Sequence, residues 1–217
     1  MKSIRRLIAV LALTALLPAT GSAQEGKLFK DSWFWGAKAG VMTFWTTRVA
    51  HAQAPLFGAD WLITRSKGAL LVSGEQGFFE EKSSVFDPSE PDQQRTVAIS
   101  NIRRATFTLL GFPKQYGALR PYVGLGVAYN FIQKASPVGL TSGSAQSDTI
   151  SARVRDEQSS ASPVFMIGLQ GQVRRFSIFG QGSLMYSQNR LLFNNNETYV
   201  LEGGIRYNIG SSIDRPN

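Results

Sequence analysis

Residue types that support catalysis are sparse in this chain of 217 residues. A hydroxyl nucleophile needs a neighbouring base that takes its proton, and the only histidine is His51, far in sequence from Asp87 and Ser89. The chain has no cysteine, which excludes thiolate catalysis, thiolate metal sites and disulfides. We therefore predict a protein that is not an enzyme and that has no catalytic residue and no cofactor.

Five carboxylates in one polar stretch have the type of side chain that binds divalent cations. The members are Glu80, Glu81, Asp87, Glu90 and Asp92. Their spacing lacks the ordered ligand pattern of a calcium-binding loop. We predict a solvated loop without a metal site, and binding of a divalent cation is the alternative.

The first 23 residues have the three parts of an export signal. Lys2, Arg5 and Arg6 precede an apolar run over residues 7–17, and the small residues 21–23 end at Ala23. The run is shorter than the ~20 residues that a helix needs to span a bilayer. We predict cleavage after Ala23, followed by a short N-terminal segment over residues 24–32.

The remaining chain is mildly basic and has the length of one domain. Removal of three basic residues leaves 20 basic against 15 acidic ones, a formal charge of +5. The basic residues are scattered and form no stripe of the kind that binds phosphate backbones, so we expect no nucleic-acid partner.

Apolar side chains at every second position mark eight runs, which are separated by turn-forming residues. The runs cover residues 33–45, 56–64, 69–79, 97–110, 122–131, 164–173, 177–186 and 198–209. Long connections near residues 46–55, 80–96, 133–161 and 187–197 alternate with short ones. This rhythm is typical of bacterial membrane barrels, and it predicts an all-β, antiparallel, up-and-down transmembrane β-barrel of about eight strands over residues 33–209, with a polar tail over 210–217. The third long connection, over residues 133–161, is rich in serine and polar. We expect it to be mobile and not to pack against the barrel.

Charged side chains on the runs occupy the face that we assign to the barrel interior. The predicted interior network consists of Lys38, Asp60, Glu75, Arg104, Glu202 and Arg206. Arg103 and Arg104 are adjacent, so one of them must point outward unless a bulge shifts the strand, and we assign Arg104 inward. Met42, Phe79, Phe179 and Met185 are also assigned inward.

Aromatic residues on the outward face predict two interfacial girdles. They are Trp33, Trp35, Trp45, Trp61, Tyr129, Tyr186, Tyr199 and Tyr207. The ten residues from Trp35 to Trp45 correspond to about 33 Å of strand, or roughly 25 Å of membrane height at a tilt near 40°. The alternative is a soluble barrel with these rings in its core.

Two segments resemble the small outer-membrane β-barrel proteins, typified by the transmembrane domain of outer-membrane protein A, outer-membrane protein W and the Ail-like barrels. Residues 119–129 are similar to a strand opening of the form RPYxGxGxxY, and Glu202, Gly204, Tyr207 and Ile209 match the assembly signal of the last strand. The chain departs from the pattern by continuing past that strand. The resemblance implies an outer-membrane location, contact with membrane lipid and lipopolysaccharide, recognition by the barrel-assembly machinery, and a monomer. It also likens the interior charges to the network of the outer-membrane protein A barrel, which is associated with plugging and gating.

The predicted function is structural, or a surface interaction made by the outer loops. A narrow carrier or porin for small apolar molecules is the first alternative. The second is a lipid-modifying acyltransferase, because the outer-membrane palmitoyl transferase has a similar distribution of His, Asp and Ser over its outer loops.

Overall fold

The computed structural model describes residues 29–139, 145–187 and 197–211. These residues form one closed sheet in which each strand pairs with its sequence neighbour and the last strand pairs with the first. The strands are β1 (Ser32–Phe44), β2 (Ala52–Thr64), β3 (Gly68–Phe86), β4 (Gln94–Gly111), β5 (Leu119–Pro137), β6 (Ser159–Val173), β7 (Phe176–Tyr186) and β8 (Glu197–Ser211). The predicted antiparallel barrel of eight strands is confirmed. The proposed cleavage after Ala23 and most of the polar tail lie outside the described residues.

The connections define two ends of the barrel. At the short-turn end, residues 65–67, 112–118 and 174–175 join consecutive strands; at the long-connection end, residues 45–51, 87–93, 138–158 and 187–196 do so. β3 and β4 are longer than predicted, because their ladder continues from Glu80 opposite Ser100 to Phe86 opposite Gln94. The outward positions of this extension are no longer regularly apolar. For this reason the sequence pattern predicts a connection over most of it.

The side chain of Arg104 points into the barrel and that of Arg103 points outward. The normal alternation of side chains therefore holds at this pair, and no bulge separates the two residues. The irregularity lies beyond this pair, where Phe78 and Phe79 together face Asn101, which has a positive φ of 56°. The amide of Phe79 donates to Asn101 Oδ1 at 3.3 Å, which satisfies a donor that the bulge removes from the ladder.

The serine-rich connection contains a helix, α1 (Ala145–Asp156). Ile150 and Val154 are four residues apart, so they share one helix face, and both are buried at 2 % exposure. The expectation that this connection would not pack was wrong for residues 145–156, because a low average hydrophobicity conceals two apolar residues at helical spacing. No helix among the described residues is long and apolar enough to span a bilayer.

The interior is filled in three layers. At the short-turn end is a lower cluster: Phe29, Phe34, Leu62, Ala69, Leu71, Leu110, Tyr122 and Met166. The middle layer holds the interior charges. Beyond it, an upper cluster reaches the long-connection end and includes Met42, Phe44, Leu56, Ile99, Ile102, Ile132, Ile150, Val154 and Met185.

Candidate functional site

One ionic group in the middle layer is centred on Lys38 of β1. Its Nζ lies 2.6 Å from Glu75 Oε1 and 3.1 Å from Glu202 Oε1, so a single cation bridges β3 and β8. Arg104 completes the group, with Nη1 3.2 Å from Glu75 Oε2 and Nε donating to Asn130 Oδ1 at 2.8 Å.

A second ionic group is centred on Arg206 of β8. Its Nη2 lies 2.7 Å from Asp60 Oδ2, and its Nε donates to both oxygens of the same carboxylate. Nη1 donates to Gln170 Oε1 at 3.2 Å, and the guanidinium carbon lies 3.6 Å from the ring centre of Phe179. The cation is thus held by a carboxylate, an amide and an aromatic face.

Glycine residues allow these pairs to close across an intervening strand. Gly36 of β1 lies between Asp60 and Arg206 in the strand register. A Cβ at this position would lie 2.5 Å from Asp60 Oδ1 and 2.7 Å from Arg206 Cγ. Gly58 has the same place between Lys38 and Glu75. Each of these two pairs therefore fills space in the narrow lumen that a glycine of the intervening strand leaves open.

The six charges balance and are shielded from solvent. Three cations face three carboxylates, and the side chains in these bridges are at most 4 % exposed. A buried ion pair contributes little net stability, but removal of one partner leaves an uncompensated charge. The layer is therefore suited to fixing the register of the barrel.

Sequence reasoning missed polar residues that complete this layer. Tyr122 Oη donates to Gln181 Oε1 at 2.9 Å, and Gln181 Nε2 donates to Glu202 Oε2 at 2.9 Å. The only sequence signal for Gln181 is its position among the inward-facing residues of β7. An amide carries no charge, so this residue does not stand out as the interior ions do.

The outer face of the barrel carries an exposed apolar belt. Leu109, Leu125 and Leu201, on β4, β5 and β8, have 69 %, 67 % and 66 % of their surface exposed. Soluble proteins rarely expose contiguous apolar patches beyond a few hundred Å². The belt continues on every strand and around the closed sheet.

The predicted girdle aromatics lie toward the two ends of this belt. At the short-turn end, Trp61 packs against Trp33 and Trp35, with ring centres 5.3 Å and 5.6 Å apart. Tyr207 packs against Phe176 at the same end. At the long-connection end, Trp45 packs against Tyr199 with ring centres 5.9 Å apart. Tyr129 and Tyr186 lie on the outer face in the halves of β5 and β7 nearer that end.

Among the described residues, His51 makes no hydrogen bond to Asp87 or Ser89, the other two residues considered for catalysis. His51 packs against Trp45, with ring centres 5.1 Å apart. Ser89 Oγ donates to Asp87 Oδ1 at 2.6 Å, and Arg95 Nε donates to Asp87 Oδ2 at 2.6 Å. These hydrogen bonds, first from Ser89 and then from Arg95, hold the pKa of Asp87 well below its ordinary value. The group thus acts as an ionised anchor of the β3–β4 connection.

The acidic stretch pairs with arginine side chains. Glu90 Oε1 lies 2.5 Å from Arg95 Nη2, and Asp92 Oδ2 lies 3.2 Å from Arg48 Nη2. Within the described ranges, no three His, Asp or Glu side chains are grouped so that they could hold a metal ion.

The four residues of the predicted assembly signal lie on β8 and differ in exposure. Glu202 is bound to Lys38 inside the barrel, and Gly204 lies so close to Phe179 that a Cβ would overlap its ring. Tyr207 and Ile209 face outward at 39 % and 49 % exposure.

Comparison with known proteins identifies the fold class. No family model matches the chain, and no curated protein matches it. Among solved structures, Neisserial surface protein A (NspA) is similar with a TM-score of 0.54 and 12 % identity, over 81 % of this chain and 96 % of that one. Ail, the attachment invasion locus protein of Yersinia pestis, matches with a TM-score of 0.49 and 12 % identity, over 83 % of this chain and 99 % of that one. The chain has the fold of the small eight-stranded outer-membrane barrels, as the sequence resemblance predicts.

We predict that Gly36→Ala destabilises the barrel by about 1–3 kcal/mol, the usual cost of overpacking. Its matched control is Gly74→Ala on the outer face, where a Cβ meets nothing within 4 Å. The control should be neutral or slightly stabilising. Urea unfolding in phospholipid vesicles measures both, and equal effects would contradict the close packing around Gly36.

A second prediction concerns the buried pair of Asp60 and Arg206. Asp60→Ala should lower the free energy of unfolding by about 3–5 kcal/mol, because Arg206 then remains buried without its carboxylate. The double variant Asp60→Ala/Arg206→Met should recover part of that loss in the same urea titration. A double variant no more stable than Asp60→Ala would contradict this account.

Proposed function

We propose that this protein is an integral outer-membrane β-barrel that acts through the surface at its long-connection end, as a structural or surface-interaction protein without enzymatic activity. The observation that carries the proposal is a closed sheet with an apolar outer face around an interior filled by three layers of side chains.

The outer face supports membrane insertion. Lipid offers no hydrogen bonds to backbone groups, and a closed barrel satisfies them all within the sheet. Each apolar Å² removed from water contributes roughly 25 cal/mol, which favours burial of the belt in hydrocarbon. The belt would place membrane lipid and lipopolysaccharide around the barrel, and a single copy is sufficient because no strand edge is left open.

The filled interior supports a role outside the lumen. Lys38, Asp60, Arg104 and Arg206 are each at most 5 % exposed, and apolar clusters cover them toward both ends. An eight-stranded barrel has an interior just wide enough for side chains to fill. We therefore assign function to the outer surface.

The long-connection end has the features of an interaction surface. The extended part of β3 and β4 projects beyond the bulge, and its connection is tied by Arg95 to Asp87 and Glu90. Helix α1 is anchored to the same connection, since Gln146 Nε2 donates to Asp87 Oδ2 at 3.3 Å and Arg153 Nη1 donates to the Phe86 carbonyl at 2.6 Å. A partner would meet a preorganised surface here, which lowers the entropic cost of binding.

The assembly machinery is a further partner in this proposal. Because Glu202 and Gly204 are enclosed in the closed barrel, the machinery would have to read them before β8 pairs with β1.

A narrow carrier for apolar molecules is the second candidate, and the upper cluster favours it. Met42, Phe79 and Met185 belong to that apolar region, which Ile150 and Val154 of α1 cover. Phe179, the fourth residue assigned inward with them, stacks on Arg206 in the middle layer and is not part of the upper cluster.

We predict that the expressed protein fractionates with the outer membrane and migrates faster in gels before boiling than after it, because the closed barrel resists detergent. Comparison of boiled and unboiled outer-membrane fractions measures this. A soluble periplasmic protein whose migration does not change on boiling would contradict the membrane assignment.

We also predict that vesicles holding the folded protein take up a fluorescent apolar tracer no faster than empty vesicles. Two variants form a matched pair. Ile150→Asp disrupts the cover of the upper cluster, whereas Ala152→Asp places the same charge on the exposed face of α1. Uptake by the unmodified protein that changes with Ile150→Asp alone would favour the carrier.

A further inference from the structure

Exposed cations on the strands are confined to one side of the barrel. Among the strand residues that the structure describes, they are Lys82 of β3, Arg103 of β4 and Lys134 of β5. These three strands are consecutive in the sheet. On the opposite side, an outward groove of about 540 Å³ is lined mainly by apolar and uncharged residues, among them Val41, Phe165, Ile167, Leu184 and Leu201. The exterior is therefore asymmetric in charge.

Arg103 stands at the edge of the apolar belt nearer the long-connection end. It is opposite Phe131 in the strand register. The outer face of β5 has no charged residue from Leu119 to Phe131, about 40 Å of strand, or roughly 30 Å of membrane height at a 40° tilt. Arg103 is thus at the level where hydrocarbon gives way to lipid headgroups.

The neighbours of Arg103 orient its guanidinium without neutralising it. The carboxamide of Gln133, with its oxygen turned to Arg103, accepts from Nε at 2.7 Å and from Nη2 at 3.0 Å. A guanidinium has five N–H donors, so among the described residues several of them have no protein acceptor.

Lys82 and Lys134 extend the positive surface away from the belt. Lys82 is opposite Ala98 and Lys134 opposite Ser100, so they flank β4 on its two sides. Glu80 is also opposite Ser100, and it reduces the net charge of the four groups to +2. Two strand spacings, about 10 Å, separate the flanking strands, which is compatible with one headgroup between them.

We propose that Arg103, Lys82 and Lys134 form a site for the phosphate groups of an outer-leaflet glycolipid, the phosphorylated sugar headgroup of lipopolysaccharide. The planar guanidinium fork matches phosphate oxygens in a bidentate manner, and the two lysines supply point charges. The proposal rests on the membrane location given above and on the long connections lying on the outer side of the membrane, as in bacterial barrels generally. Together these put Arg103 beside headgroups of the outer leaflet.

The test uses the full-length protein refolded in detergent and titrated with bisphosphorylated lipid A, with bound lipid counted by native mass spectrometry. Arg103→Gln should weaken binding about tenfold, the effect of losing one charge-assisted contact. Arg103→Lys should give an intermediate affinity. Arg155→Gln, the same charge change on the exposed face of α1, is the matched control and should bind as the unmodified protein does.

Three results would overturn the site: equal binding by Arg103→Gln and Arg155→Gln, equal binding of dephosphorylated lipid A, or saturation by inorganic phosphate alone. If Arg103→Gln fails to fold, the double variant Lys82→Gln/Lys134→Gln replaces it, and its binding of lipid A is compared with that of Arg155→Gln. Gel migration before and after boiling is measured on each sample. If the protein forms the barrel but does not bind phosphorylated lipid A, only the site is refuted. If the protein never enters a membrane, the proposed function is refuted.

Discussion

The pairing of β8 with β1 is the constraint on which the rest of the structure depends. It removes both edges of the sheet, so every strand has two neighbours and no row of backbone donors is left for lipid to cover. Closure also divides the side chains into two sets, one facing out and one enclosed in a space of fixed width. Each strand must satisfy both environments with alternate residues.

The enclosed set explains why charges and glycines occur together. A narrow lumen has no room for a side chain at every inward position, and the glycines at 36 and 58 leave the space that Asp60–Arg206 and Lys38–Glu75 fill. The apolar clusters on either side keep water from these pairs. Polar pairing fixes the register in the middle layer, and hydrophobic packing fills the two ends.

The outer face differs between the two ends and between the two sides. Short turns and a tryptophan cluster mark one end, and the other carries the β3–β4 extension, α1 and the arginine–carboxylate contacts. Cations on β3, β4 and β5 then distinguish one side of an otherwise apolar wall. Features of this kind distinguish one such barrel from another, because the barrel itself is common to proteins of many functions.

The sequence by itself determined the eight strands of the barrel wall and the direction of most of their side chains, because a period of two residues is a local property that needs no partner. It therefore places Lys38 and Arg206 inward and Leu125 outward. It did not predict the extension of β3 and β4, where apolar alternation stops but the ladder continues. It did not reveal that Leu62 and Leu71 fill the lumen, since these strands are apolar on both faces and alternation is lost there.

The contacts of the interior charges were decided by tertiary structure alone. Lys38 and Glu202 are 164 residues apart, and Asp60 and Arg206 are 146 apart, so only the register of the closed sheet brings them together. Helix α1 has the same origin, because two apolar residues in a polar segment stabilise a helix only where the open end of a barrel receives them.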